Sequence, residues 1–240
     1  MTDCLYEGDA YRTQCDAVIV DITEHGLQLD RTVFYPTGGG QPGDSGILRL
    51  EDGRVIAITT TVKNHADGLI VHATDDELSG VAKGVKVRAD LDWQRRYQHM
   101  KMHTCLHLLC ALIDAPVTGC SIGAEKGRLD FDLPEQGLDK ERLSQELNDL
   151  VSGNHMVTAS WIAEEQLQAQ PHLVRTTSVG PPLGMGRIRL IGVKDVDVQP
   201  CGGTHVASTA EIGRVRVAKI EKKSRHNRRV VIEFSPTTID

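Results

Sequence analysis

Two short stretches of this 240-residue chain combine residue types that bind transition metals. The first holds His103 and His107, and the second, far downstream, holds Cys201 and His205. The histidine pair lies within 93–112, which contains neither glycine nor proline and is therefore predicted to be a helix. Residues four apart share one face of a helix, so both imidazoles can reach one ion. Imidazole nitrogens with one thiolate are a ligand set that suits Zn²⁺.

Simpler interpretations compete with a shared metal site. Two histidines on a helix often only pack or face solvent, and Cys201 alone would be an ordinary buried thiol. However, Cys201 and His205 lie on either side of a Gly-Gly turn, and the other cysteines show no C-x-x-C spacing. We therefore expect one ion that ties the histidine helix to a loop 94 residues beyond His107.

Composition limits the class of protein. The chain is long enough for one large or two small domains, and its formal charge of −6 argues against binding polyanions over the whole surface. Six scattered cysteines suggest reduced thiols, and neither a signal peptide nor a bilayer-spanning apolar run is visible. We therefore expect a soluble, cytoplasmic protein with no membrane partner.

The first 90 residues are predicted to form a β-rich domain. Its candidate strands are short runs at 16–22, 47–50, 54–62, 69–73 and 85–91. Asp52-Gly53 and Asp67-Gly68 are hairpin signals between such runs. Short strands at this spacing favour a closed or sandwiched sheet, so we expect a small β-barrel-like domain over 1–90.

Residues 91–240 are predicted to form an α+β domain with helices on an antiparallel sheet. Asp139 is a candidate N-cap for a helix whose apolar face carries Leu143, Leu147, Leu150 and Val151. A short helix is expected over 164–170. The candidate strands are 127–133, 155–162, 187–193, 214–220 and 229–234, the last two joined through 221–228.

A glycine-rich segment, 34–46, is a candidate for contact with a ligand. Glycine lets the backbone approach a ligand closely and line a pocket, although a plain tight turn is the simpler interpretation. The segment lacks the GK[ST] ending of a phosphate loop, and no strand–turn–helix pattern surrounds it.

Basic residues are concentrated in two places, which suggests contact with phosphates in an otherwise acidic chain. The alternative is a solvated hairpin tip. No aromatic-rich RNA-binding signature accompanies the basic residues, so base-specific recognition is not expected. The candidate phosphate-contacting residues are Arg95, Arg96, Lys222, Lys223, Arg225, Arg228 and Arg229.

Taken together, several segments resemble the editing domain of alanyl-tRNA synthetase and its free-standing relatives, the AlaX trans-editing proteins. These segments occur in the family's order, at 34–46, 95–109, 126–133, 199–206 and 210–213. The glycine-rich N-terminal region resembles the longer, two-domain AlaX form. No segment resembles the aminoacylation core of class II synthetases, so we expect neither tRNA charging nor binding of ATP or a dinucleotide cofactor.

The resemblance implies hydrolysis of mischarged alanine tRNA, chiefly the seryl form and in some members the glycyl form. It also implies a threonine that recognises the seryl hydroxyl, which we match by position to Thr118 with Ser121 as its rival. Gln41 falls on the glutamine of the family's glycine-rich motif. The family's zinc ligands correspond to His103, His107, Cys201 and His205.

The expected reaction is ester hydrolysis at the tRNA 3′ end, with a zinc-associated water as the catalytic group. Four protein ligands normally close a structural zinc site, so catalysis needs a different arrangement. Either His205 binds weakly, or the site expands to five ligands, or zinc only positions the substrate amino group. A site that hydrogen-bonds the seryl hydroxyl would spare alanine, because its polar groups would stay unpaired when alanine enters.

Two other functions remain open at this point. The first is a zinc-stabilised tRNA-binding module without catalysis. The second is a zinc hydrolase that acts on some other small ester or amide. A metalloprotease is disfavoured, because Thr104 follows His103 where the H-E-x-x-H motif requires glutamate.

Overall fold

A computed structural model describes residues 2–64, 68–133, 137–177, 180, 184 and 186–236; Asp67 of the second predicted hairpin turn lies outside the described residues. The chain forms two compact units, Met1–Tyr97 and Gln98–Asp240. A few helices accompany antiparallel sheets, which confirms the predicted α+β class. Among the helices that the structure describes, none is long and apolar enough to cross a membrane.

The described elements of the first unit are strands, one short 3-10 helix, Leu5–Glu7, and the beginning of a longer helix at its C-terminal end. Seven of the described strands form one antiparallel sheet in the order β6-β5-β9-β2-β3-β8-β7, and β1 pairs in parallel with β4. The strands are β1 (Asp3–Cys4), β2 (Gln14–Thr23), β3 (Gly26–Leu29), β4 (Arg31–Thr32), β5 (Gly46–Leu50), β6 (Val55–Ile58), β7 (Thr60–Lys63), β8 (Ile70–Ala73) and β9 (Lys86–Leu91).

Alternation of apolar residues explains the core of this unit. In β2, every second side chain from Cys15 through Ala17 to Ile19 is buried, and they pack in one cluster with Leu48 and Val87 of neighbouring strands. Such period-2 burial is the mark of a strand with one face on the core.

The single strand predicted over 54–62 is in fact two strands, β6 and β7, which are interrupted at Thr59. The N–H of Thr59 donates a hydrogen bond to the carbonyl of Ala73. β6 and β7 lie at opposite ends of the strand order although only this one residue separates them. A seven-stranded sheet must therefore bend back strongly on itself. Among the described residues no strand pair closes it, so a closed barrel remains a prediction.

The second unit contains a four-stranded antiparallel sheet, β10-β11-β16-β15, and a three-stranded antiparallel sheet, β12-β13-β14. Its elements, with α1 reaching back into the first unit, are α1 (Trp93–Leu112), β10 (Val117–Ile122), β11 (Lys126–Asp132), α2 (Lys140–Ser152), β12 (Val157–Ala163), α3 (Glu164–Gln168), β13 (Arg187–Val193), β14 (Asp197–Pro200), β15 (Val215–Lys222), β16 (Asn227–Phe234) and the 3-10 helices Pro171–Leu173 and Thr209–Ile212.

Three local features stabilise helices α1 and α2 and their packing against the four-stranded sheet. A Cβ atom at Gly127 in β11 would lie 2.7 Å from Cγ of Met102, so the glycine lets α1 approach the sheet closely. Asp139 accepts a hydrogen bond from the N–H of Arg142, which confirms the predicted N-cap of α2. Helix α2 then packs along β15, where the Asn148 side chain bonds to the backbone of Val215.

His72 in β8 is fully buried in the first unit, and both of its ring nitrogens are paired. Nδ1 lies 3.1 Å from the carbonyl oxygen of Leu27, which can only accept, so Nδ1 carries the proton. Nε2 then accepts a hydrogen bond from the hydroxyl of Thr32, 2.7 Å away. Burial lowers the pKa of His72 from 6.5 to about 4, so the folded protein holds this ring neutral.

We expect His72 to make the folded state less stable as the pH falls from 6.5 to 4. In that range the unfolded chain protonates this ring and the folded chain does not, so roughly 3 kcal/mol present at neutral pH is lost by pH 4. His72→Gln should flatten this part of the pH dependence in denaturant unfolding, whereas His25→Gln, at a highly exposed position, should not. Equal pH dependence in both variants would contradict the assignment.

Candidate metal centre

Four side chains of the second unit converge from two distant parts of the chain. His103 and His107 lie one turn apart on α1, because residues four apart share a helix face. Cys201 directly follows β14, and His205 lies in the loop that leads to the 3-10 helix Thr209–Ile212. Their candidate ligand atoms all lie within 4.8 Å of one another, and the three imidazoles are each 5% exposed.

Two of the sulfur–nitrogen spacings in this cluster fit tetrahedral zinc. Cys201 Sγ lies 3.5 Å from Nε2 of His103 and 3.3 Å from Nε2 of His205. Zinc–sulfur and zinc–nitrogen bonds of ~2.3 and ~2.0 Å at a tetrahedral angle separate the two ligand atoms by about 3.5 Å. The ring of His205 also lies close to both helical histidines, with centroids 4.2 Å from His103 and 4.5 Å from His107. The four side chains can therefore hold one metal ion.

Thr104 fixes the orientation of the His205 ring. Its hydroxyl donates to the carbonyl of Met100, 2.9 Å away, so it can only accept from Nδ1 of His205, 3.1 Å away. It also accepts from the N–H of Val206. Nδ1 therefore carries the proton of His205, and Nε2 turns an unshared pair toward Cys201. This is the arrangement that metal-binding histidines usually have.

Arg189 of β13 holds the loop that carries Cys201. Its Nη1 donates to the carbonyl oxygens of Cys201, at 3.1 Å, and Gly203, at 2.7 Å. The N–H of Gly203 in turn points at Cys201 Sγ, 3.4 Å away. One buried guanidinium thus contacts the backbone on both sides of Gly202, so hydrogen bonds of the fold itself hold the loop that carries the thiol.

Electrostatics keeps the three rings neutral. Burial lowers the pKa of His107 from 6.5 to about 3, and Arg189 acts in the same direction. The pKa values of His103 and His205 are lowered by burial, by neighbouring rings and by Arg189. Burial raises the pKa of the Cys201 thiol, while a backbone N–H and Arg189 oppose this. Each imidazole therefore keeps an unshared pair for a metal at neutral pH.

One nitrogen of His107 is left without a partner inside the fold. Its Nδ1 atom is buried and has no hydrogen-bond partner among the described residues. A buried polar atom without a partner costs free energy, so it is normally matched by water, an ion or a ligand.

The residues predicted to recognise serine lie on β10. The Thr118 hydroxyl donates to the carbonyl of Asp130, 3.2 Å away, and accepts from Nδ2 of Asn227, 2.8 Å away. Burial raises the pKa of the Cys120 thiol on this strand to about 12, and the Cys201 thiol acts in the same direction. Neighbouring strand residues face opposite sides, so the exposed Ser121 points away from the side of Cys120.

The glycine-rich segment lies in the first unit. Gly38 and Gln41 exchange two backbone hydrogen bonds in a tight turn, and Gln41 is fully buried. Asp44, also fully buried, forms an ion pair with Arg96. Arg96 further donates to the carbonyl of Val33. This guanidinium is wholly buried and satisfied within the unit, so it is not available to a tRNA phosphate, contrary to expectation.

The other predicted basic residues differ in exposure. Arg95 is half-buried and donates to the carbonyl of Gly43. Arg229 is half-buried and forms a two-armed ion pair with Asp130. Arg228 is half-buried and donates to the carbonyl of Ser224. The exposed cations of the β15–β16 turn are Lys222, Lys223 and Arg225.

Family profiles match both units. Residues 188–231 match the family described as "Threonyl and Alanyl tRNA synthetase second additional domain", a range that contains Arg189, Cys201 and His205. Residues 8–95 match the family described as "tRNA synthetases class II (A)". Residues 8–95 therefore resemble part of a class II synthetase, while the expected absence of an aminoacylation core and of ATP binding stays a prediction.

Individual relatives cover nearly the whole chain. The alanyl-tRNA editing protein AlaX-M of Methanosarcina acetivorans is 32% identical over 239 residues, which span 96% of this chain and 98% of the relative. AlaX-L of Pyrococcus horikoshii is 34% identical over 98% of this chain, which spans 58% of that relative. The alanine–tRNA ligase of Metallosphaera sedula is 37% identical over 92% of this chain and 25% of the ligase.

Thr104→Val tests whether the hydroxyl at this position supports the metal centre. Valine keeps the shape of the side chain but removes the acceptor for Nδ1 of His205, so we expect metal affinity to fall about 10- to 100-fold. Thr104→Ser keeps the hydroxyl and should stay close to the parent protein. Competition against a chromophoric zinc chelator measures all three affinities. The same affinity in the valine variant as in the parent would contradict this role.

Proposed function

We propose that this chain, which belongs to the AlaX family of alanyl-tRNA editing proteins, hydrolyses the ester bond of alanine tRNA that carries serine in place of alanine. The observation that carries this proposal is the convergence of three imidazoles and one thiol in a buried cluster. Glycyl-tRNA of the alanine family is the second substrate that we propose. In this role the protein acts in trans, on tRNA that a synthetase has already mischarged.

We further propose that the metal is zinc. The donor set and the sulfur–nitrogen spacings support zinc, which prefers nitrogen and sulfur ligands in a tetrahedron. When bound, zinc supplies Lewis acidity at an ester carbonyl and at water. The fixed ring of His205 supports its inclusion as a full ligand, in preference to a weak one.

The chain's own residues prepare the site for this ion. Because the pKa values of the three imidazoles are low, they bind without first releasing a proton at neutral pH. Cys201 must lose its proton on binding, and Arg189 favours the thiolate electrostatically. The three imidazoles are buried, so solvent screens their interactions with the ion only weakly.

For the choice of serine over alanine, we propose Thr118 as the group that meets the seryl hydroxyl. Its hydroxyl already donates to Asp130 and accepts from Asn227, which leaves one acceptor pair. A seryl hydroxyl can donate to that pair, and alanine cannot. Ser121 stays the rival and Gln41 a further proposed contact.

For binding of the tRNA backbone, we propose the exposed cations of the β15–β16 turn, Lys222, Lys223 and Arg225, and the half-buried Arg95. We also propose that the protein works in the cytoplasm. Its six cysteines are free thiols, which supports a reducing compartment.

A second candidate is a tRNA-binding module without catalysis. Four protein ligands around one ion are typical of structural zinc sites, which favours this alternative specifically. The two candidates differ in one assay. A metal-loaded protein that binds mischarged tRNA without releasing serine would be such a module.

Cys201→Ala should remove the metal and lower the rate of seryl-tRNA hydrolysis by at least about 100-fold, the scale of losing one strong electrostatic stabiliser. Cys110→Ala is the matched control, because it removes another buried thiol of the same unit that is not in the cluster. Zinc content and release of labelled serine are measured together. Full activity of the Cys201 variant without bound metal would refute the role of the ion.

Thr118→Val should lower hydrolysis of seryl-tRNA while leaving metal content unchanged. Loss of one hydroxyl contact to substrate corresponds to roughly 10-fold in kcat/KM. Ser121→Ala, in the same strand, is the comparison. If Thr118→Val keeps the selectivity for serine over alanine, Thr118 does not recognise the seryl hydroxyl.

A further inference from the structure

Trp161 is a large aromatic side chain that β12 leaves exposed to solvent. It is 40% exposed, and the guanidinium carbon of Arg187 lies 4.4 Å from the centre of its ring. The residue two positions before it, Ala159, shares its face of the strand and is small and exposed. The ring therefore lies on an open surface, where a flat group can reach it without displacing a bulky neighbour.

The strand register places this aromatic side chain opposite a residue that supports the candidate metal centre. Trp161 pairs directly with Arg189 of β13, so the two side chains project from the same face of the sheet. Arg189 is the residue that holds the carbonyls of Cys201 and Gly203. One cross-strand neighbour thus separates the exposed ring from the loop that carries the thiol.

Arg187 differs from the arginines of the neighbouring sheet in its electrostatic surroundings. Arg128 and Arg229 share Asp130, and Arg216 pairs with Glu233. Within the described part of the chain, no carboxylate lies within 4.0 Å of the Arg187 guanidinium. Arg187 is exposed and keeps its positive charge unneutralised by a close partner.

We propose that Trp161 and Arg187 form a stacking platform for an unpaired nucleotide at the 3′ end of the substrate tRNA. This inference rests on the proposed function, since the aminoacyl ester lies on the terminal nucleotide and the nucleotides beside it are single-stranded. An aromatic ring with an adjacent guanidinium is the usual platform for single-stranded nucleic acid. The ring stacks on a base, and the guanidinium contacts a phosphate or the base face.

The size of the effect follows from the chemistry of stacking. Removal of one aromatic platform lowers affinity for single strands roughly 5- to 100-fold per base. Every base has an aromatic face, so the platform supplies affinity and orientation without reading sequence. Arg187 should add one phosphate contact to the salt dependence of binding.

Fluorescence tests the platform without any deacylation. The chain has two tryptophans, so Trp93→Phe leaves Trp161 as the sole indole. Titration with the single-stranded RNA tetranucleotide ACCA should quench this fluorescence, and Arg187→Gln should weaken the binding and lower the salt dependence by about one contact. Absence of quenching at millimolar tetranucleotide would overturn the proposal.

Kinetics then tests the platform in the reaction. Trp161→Ala should raise KM for seryl-tRNA about 5- to 100-fold with unchanged metal content, and Trp161→Phe should recover most of the loss because it keeps a ring. An unchanged KM in the alanine variant contradicts the platform but leaves the editing function intact. If the tetranucleotide quenches the fluorescence but the protein never releases serine from the tRNA, the result supports the platform and contradicts the editing function.

Sedimentation of the same variants checks for a protein partner. If Trp161→Ala converts a dimer to a monomer while KM stays the same, the exposed ring belongs to an interface between copies of this chain. That result would also overturn the stacking proposal. The expected result is an oligomeric state that the substitution leaves unchanged.

Discussion

Metal ligation imposes a tolerance of a few tenths of an ångström on atoms that lie far apart in the sequence. Here Cys201 follows His107 by 94 positions, yet their ligand atoms lie within 4.8 Å of each other. Two contacts that do not involve a metal enforce this closeness. Gly127 lets α1 approach the four-stranded sheet, and Arg189 fixes the loop after β14. The sheets of the second unit hold these two residues in place, since Gly127 lies in β11 and Arg189 lies in β13.

A cluster held in this way is preorganised as well as buried. Neutral rings, a fixed tautomer at His205 and a guanidinium near the thiol are present in the fold itself, so a cation meets ligands that need little rearrangement. Preorganisation of this kind lowers the cost of binding a cation. It also agrees with the relationship to alanyl-tRNA editing proteins, in which both units of the chain take part.

Local pattern in the sequence predicted the parts of this site that depend on local structure. The i, i+4 histidines and α1 follow from helical periodicity, and Asp139 follows from capping chemistry. Supporting residues could not be found in this way, because Thr104 meets His205 across 101 positions and no periodicity encodes that pairing. Arg96 was misassigned for the same reason, since the partner that buries it, Asp44, lies 52 positions earlier. The four-residue strand β3 escaped prediction because all its side chains are buried, without alternation.

The central claim is that one ion is held by three imidazole nitrogens and one sulfur from the two distant segments. X-ray absorption at the zinc K-edge of the purified full-length protein tests it most directly, because it reports ligand type and number without reference to activity. The account predicts one zinc per chain with a single sulfur at about 2.3 Å and nitrogen ligands at about 2.0 Å. A spectrum without a sulfur shell, or zinc far below one per chain after loading, would contradict it.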